Sequence, residues 1–178
     1  MDLLGRFLQL PAGSFCLRAA YGLSLMRREA TFSLLDNVNL PIHETGHLVF
    51  AAFGERVTAL GGTLLQLIVP LAFATSFFVR GDRHAASVML WWVGQNCIYI
   101  GHYMADAVVQ ELPLVGGGEH DWGFLFGEWN VLAYSERIGH DVRLTGGAIM
   151  LAATLWGIRT TLTATAPDSD TASRVRAR

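Results

Sequence analysis

The sequence predicts an all-α fold: a polytopic helical membrane protein with about four to six helices in one bundle. Three observations carry that expectation. Residues 57–79 hold no charged side chain and are bracketed by Arg56 and Arg80, and residues 85–105 form a second uncharged run that ends at Asp106. Each reaches the roughly 20 residues needed to cross a hydrocarbon core. The third observation is composition: the chain is 52% hydrophobic with a mean hydropathy of +0.35, more apolar than an ordinary soluble domain. Buried helices of a soluble protein can also be apolar all round, but two such runs in 178 residues favour lipid, and one domain is all this length provides for.

Taken in order, residues 1–36 read as an interfacial or short helical segment broken by Pro11 and Gly13, with a polar patch at Arg27, Arg28 and Glu29. The N-terminus lacks the pattern of a cleavable signal peptide, since Asp2 leads and the apolar run is broken. Residues 37–165 are the membrane-embedded domain. Asn37 or Asn39 caps its first helix and Pro41 suits the first turn; Gly54-Glu55-Arg56 ends it. Gly61-Gly62 opens the next span, where small residues permit close helix approach, and Pro70 predicts a kink in it. Arg80-Gly81-Asp82-Arg83 is a tight turn, and the third helix runs to about Gln110. Pro113 and Gly116-Gly117-Gly118 make a flexible loop before Glu119-His120-Asp121-Trp122. A further helix covers 123–137, Gly139 to Asp141 turns into a last apolar helix to about 164, and residues 166–178 are a disordered polar tail. Arg80 and Arg83 fall on the same side as the N-terminal arginines if the helix beginning near Pro41 crosses, which makes that side cytoplasmic and puts the acidic loop 106–121 opposite.

Chemistry concentrates at His43-Glu44-Thr45-Gly46-His47, an HExxH motif. On a helix His43 and His47 are one turn apart on one face, so both rings can reach one metal ion, with Glu44 placed to act on a water there. From Asn37 to Gly54 the only charged residue is Glu44, and a lone carboxylate in an apolar helix is costly without a role. The motif implies Zn²⁺, and a catalytic zinc takes a third protein ligand. His120 ranks first for that position because the glycines before it let the chain fold back; Asp121, which could instead cap a helix, ranks second and Asp106 third. His84 and His140 lie in polar turns and read as solvated, and His102 shares a face with Asp106. Gln66 and Asn96 fall at a depth similar to His47, where they could orient a ligand, hold a substrate backbone or join helices. Trp91 and Trp92 read as interfacial or packing residues, and Tyr103 as packing or as a donor to an oxyanion.

Other classes are excluded more simply. Thirteen basic residues, all Arg, against fifteen acidic ones leave no basic stripe for nucleic acid. Cys16 and Cys97 form no CxxC pair, so neither a disulfide framework nor a thiolate site is indicated.

An HExxH in a membrane helix followed by a glycine pair opening the next span resembles the site-2-protease-like intramembrane zinc metallopeptidases. The likeness rests on His43-Glu44-Thr45-Gly46-His47 and Gly61-Gly62. It implies that His43 and His47 bind zinc and that Glu44 activates water for attack on a peptide carbonyl. The family takes its third ligand from an aspartate in an Asn-Pro…Leu-Asp-Gly pattern, which this chain lacks; Asp106 and Asp121 are the stand-ins. The chain also resembles small uncharacterised bacterial membrane proteins that carry HExxH, Gly-Gly-Thr-Leu-Leu-Gln, Tyr…Ala-Asp-Ala and His-Asp-Trp stretches. The expectation is therefore a multi-pass protein of a bacterial inner membrane, with the lipid bilayer as partner and a membrane protein or peptide as substrate. The alternatives are a non-peptide hydrolase or metal-binding membrane protein, and a non-enzymatic scaffold in which HExxH is incidental.

Overall fold

The computed structural model describes residues 11–27, 34–112 and 119–164. Among them are six α-helices and no strand: α1 (Pro11–Arg27), α2 (Asp36–Phe50), α3 (Glu55–Val79), α4 (Arg83–Ala105), α5 (Asp121–Glu128) and α6 (Ser135–Ala164), with short 3₁₀ turns at Ala51–Phe53 and Leu132–Tyr134. Residues 1–10, the polar patch at 28–29, the glycine loop 116–118 and the tail 166–178 lie outside the described residues.

Several boundaries differ from the sequence expectation. Gly13 lies within α1 and does not interrupt it. α2 begins at Asp36, so Pro41 lies inside it. α4 stops at Ala105 and gives way to turns before Gln110, which has φ +53°. The segment 123–137 is not one helix. α5 ends where Asn130 takes φ +55°, with Asn130 N–H bonded to the Gly127 carbonyl and Val131 N–H to that of Phe126. Those paired bonds around a left-handed residue terminate a helix. α6 then runs unbroken through Gly139 and Asp141.

Glycines set the spacing of the bundle. α4 and α6 are antiparallel, and Gly94 meets Gly146 while Gly101 meets Gly139. A Cβ on Gly94 would lie 2.6 Å from the Gly146 carbonyl oxygen, and one on Gly101 2.5 Å from that of Gly139. α2 and α3 form a second antiparallel pair, in which a Cβ on Gly61 would lie 2.7 Å from the Gly46 carbonyl oxygen. α1 packs against α6, with Gly22 facing Met150 and Trp91, over a core of Leu25, Trp91, Ile98, Met150 and Ala153. At the other end Trp122, Leu125 and Phe126, spaced three and four apart on α5, pack on Ile100, Met104 and Ala107. That apolar patch seats α5 against the end of α4.

Asp36 bonds to Gln95, midway along α4, whereas His47 bonds to Thr58 near the start of α3. α2 therefore starts halfway down the bundle and rises to the end that also holds the 106–112 turn and α5. At ~1.5 Å per residue its 15 residues span about 22 Å, short of the ~30 Å of a hydrocarbon core. The histidine pair and the acidic loop thus share one end, because α2 does not traverse the bundle.

Among the described residues only α3 is long and apolar enough to cross a membrane by length and composition. The runs 85–105 and 144–164 are helical, but Gln95, Asn96 and His102 in α4, and Arg159 in α6, bring both below that standard.

Gly101→Ala forces a side chain onto backbone that cannot move alone. It is expected to cost roughly 1–3 kcal/mol, as other overpacked sites do. Gly127→Ala on α5, with nothing within 4 Å of the added carbon, is expected to be neutral or slightly stabilising. Thermal unfolding of the two variants checks the contrast.

Candidate metal centre

α2 turns a polar stripe inward. Asp36, Asn39, His43 and Gly46 are its buried residues, at the three- and four-residue intervals of one helix face, and His47 extends the stripe by a turn. The lower part is fully partnered. Asn39 donates to Gln95 Oε1 at 2.8 Å and accepts from Trp92 Nε1 at 2.8 Å, while Gln95 donates to Asp36 Oδ1 at 3.4 Å. The upper part carries the histidines, whose ring centroids are 4.7 Å apart at 83°. Gly62 makes room for the first of them: a Cβ there would fall 2.6 Å from His43 Nε2.

Each ring is held by its Nδ1. His47 Nδ1 lies 2.8 Å from the Thr58 carbonyl oxygen and His43 Nδ1 lies 3.2 Å from Gln66 Oε1. A carbonyl oxygen only accepts, so His47 Nδ1 carries a proton. Both Nε2 atoms then point the other way, toward Asp121 Oδ2, at 3.0 Å from His43 and 3.3 Å from His47. His43, His47 and Asp121 each offer one ligand atom, all within 4.8 Å of one another, and the group could hold a metal ion. The donor chemistry fits that role. Two imidazole nitrogens and a carboxylate oxygen converge with their outer hydrogen-bonding positions already used, so they need a cation, proton or metal, between them. Such orientation of metal-binding histidines through the far ring nitrogen is a general feature of metal sites.

In the metal-free chain protons serve. The Asp121 hydrogen bond raises His47 to about 9 against the opposing effect of burial, with help from the Thr58 carbonyl and the charges of Asp121 and Glu44. Burial alone would push the Asp121 carboxyl up; the hydrogen bonds and charges of the two histidines outweigh it and hold Asp121 below its ordinary value. Glu44 is half-buried and has no ion-pair partner among the described residues, Arg83 included.

The structure brings Asp121, and not His120, to the histidine pair. His120 is buried one residue away, but its Nδ1 accepts the Gly123 N–H at 3.0 Å as the cap of α5. Its Nε2 lies 3.6 Å from Asp106 Oδ2, and burial keeps the ring's pKa below its ordinary value. Asp106 is occupied elsewhere, accepting the Glu111 and Leu112 N–H groups at 2.9 and 3.1 Å. The ranking reverses because a helix-opening dipeptide directs its two side chains differently. The cap residue turns back onto its own helix, and the next residue is free to project. His84 packs on Phe15 with Thr161 near its Nδ1, His140 is exposed and His102 is half-buried; none of the three joins the group. Gln66 orients His43, whereas Asn96 bonds within its own helix to the Trp92 carbonyl. Sequence reading had no signal for the Thr58 carbonyl, since every residue carries one. Tyr103, which the sequence offers as a packing residue or an oxyanion donor, has its hydroxyl 3.4 Å from Asp121 Oδ2.

No family model matches this chain, and no match is found among curated proteins or solved structures.

The raised His47 pKa predicts a stability profile for the metal-free chain. Its contribution is fully present below about 6.5 and is lost as pH rises through about 9. That of Asp121 is present above about 3.8 and is lost as pH falls through its lowered native value. Melting in excess chelator is expected to show Tm declining from pH 6.5 to 9.5, and Asp121→Asn is expected to flatten that decline.

Proposed function

We propose that this protein is a membrane-embedded zinc metallohydrolase that cleaves a peptide bond. The observation that carries the reading is the convergence of His43 Nε2, His47 Nε2 and Asp121 Oδ2 beside a glutamate with no ion pair among the described residues. Two histidines and one carboxylate are a donor set for catalytic zinc, which leaves a position for water. That the third residue is an aspartate from a later helix adds to the likeness with site-2-protease-like enzymes.

Bound zinc supplies Lewis acidity toward the scissile carbonyl and lowers the pKa of water toward ~7. His43, His47 and Asp121 would hold the ion, and the Gln66 and Thr58 oxygens keep the two rings turned to it. Glu44 takes a proton from the attacking water as its oxygen bonds to the carbonyl carbon. Glu44 then returns that proton to the amine as the C–N bond breaks.

The same reading has α3, α4 and α6 crossing a bilayer, with α2 entering only part-way and a membrane protein or peptide as substrate. Its support is a set of buried amide side chains inside the bundle with large apolar side chains on its outer faces. Asn39, Gln66, Gln95 and Asn96 are at most 2% exposed, whereas Leu71 and Phe78 on α3 and Leu151 and Leu155 on α6 are 43–62% exposed. Polar groups in membrane proteins face inward and apolar ones face lipid, while water penalises so much exposed apolar surface.

Purified full-length protein in detergent is expected to contain about one zinc per chain, lost in His43→Ala and in Asp121→Ala. Glu44→Gln is expected to keep the zinc and to lose cleavage of transmembrane peptides by at least ~10²-fold, the scale of a missing general base. Cleavage undiminished in a folded, zinc-loaded Glu44→Gln protein would sink the mechanism. Absence of zinc would leave HExxH as a scaffold feature, and zinc without peptide cleavage would assign the centre to another hydrolysis or to ion handling.

A further inference from the structure

On the strength of that metal reading, we propose that Asp106 and His120 act together as a latch that holds Asp121 in the metal centre, as positioning residues rather than ligands. His120 occupies the turn that opens α5. Its Nδ1 accepts from Gly123 N–H at 3.0 Å, so in the neutral ring the proton sits on Nε2. That nitrogen is buried without a hydrogen bond among the described residues, and Asp106 Oδ2 lies 3.6 Å from it. Asp106 is itself fixed at the end of α4, because its carboxylate accepts two backbone N–H groups of the following turn. The ring of His120 lies on Tyr103, centroids 4.2 Å apart. The Tyr103 hydroxyl accepts from Asp121 N–H at 3.3 Å and lies 3.4 Å from Asp121 Oδ2.

Asp121 is therefore located by what holds its neighbour. If the His120 ring turned away from Asp106, the cap on Gly123 and the contact with Tyr103 would go together, and Asp121 is attached to both. A buried imidazole N–H is costly unless it faces an acceptor or a negative charge, and the carboxylate of Asp106 meets that need. Groups that orient metal ligands typically change metal affinity by about 10–100-fold when removed.

The test is Zn²⁺ affinity of the full-length chain in detergent, by competition with a chromophoric chelator, with helix content checked by circular dichroism. His120→Ala and Asp106→Asn are each expected to weaken zinc by 10-fold or more, and the double variant no further than the weaker single, since both break one device. His120→Asn keeps a good helix cap with a side chain too short to reach Asp106 as well, and it is expected to stay weakened. Asp106→Asn keeps an oxygen able to accept one of the two turn N–H groups while removing the negative charge opposite His120 Nε2, so it is the variant least at risk of misfolding. Wild-type affinity in Asp106→Asn or His120→Ala, full rescue by His120→Asn, or losses that multiply in the double variant would overturn the latch. A wild-type chain that takes up no zinc defeats the metal reading itself. A wild-type chain that binds zinc, with variants that match it, defeats only the latch.

Discussion

Backbone contact between Gly46 on α2 and Gly61 on α3 is the constraint on which the candidate metal centre rests. Two helices with ordinary side chains at their crossing stay 8–10 Å apart; here a Cβ on either glycine would run into the other helix. The close approach brings the Thr58 carbonyl and the Gln66 side chain within reach of the two histidine rings. It also leaves space over Gly62 for His43. The second x of the HExxH segment, Gly46, thus has a physical meaning. Gly46 lies on the buried face with His43 and lets that face sit against backbone.

The other half of the centre arrives by a separate route. α5 is eight residues long, too short to be stable alone, and it is fixed by Trp122, Leu125 and Phe126 on the end of α4. Its first residue is Asp121. One apolar patch and one glycine crossing therefore bring together the three atoms that could hold a metal ion. The buried ladder from Asp36 through Gln95, Asn39 and Trp92 holds α2 in register below the site, because a slip along α2 would leave those polar groups without partners.

Much of this was legible in the residues. The helical class followed from long uncharged runs, and the HExxH spacing placed His43 and His47 on one face. The glycine pair at 61–62 signalled a close crossing. Gln66 was noticed as a polar group at the right depth. Less legible were the ends of elements. Pro41 looked like a first-turn residue, yet α2 starts a turn earlier, and Asn130 ends α5 through a left-handed conformation that composition does not announce. The pairing of Gly94 with Gly146 and Gly101 with Gly139 could have been suspected from matching seven-residue intervals. Only the folded chain says which glycines meet.

By itself the sequence determined what local spacing can determine. It specified helices, a face shared by two histidines, a glutamate between them, and a short set of acidic or imidazole groups near 106–121 from which a third partner would come. It could not choose among His120, Asp121 and Asp106, because that choice depends on the direction each side chain takes at a helix start and on what stands opposite. The tertiary structure decided it. His120 turns back to cap α5, Asp106 closes the turn after α4, and Asp121 alone faces the histidines. It also decided that α2 enters the bundle only part-way, which sets His47 and Asp121 at the same end. Local spacing is encoded within a few residues; convergence across 78 positions, from His43 to Asp121, exists only once the helices have packed.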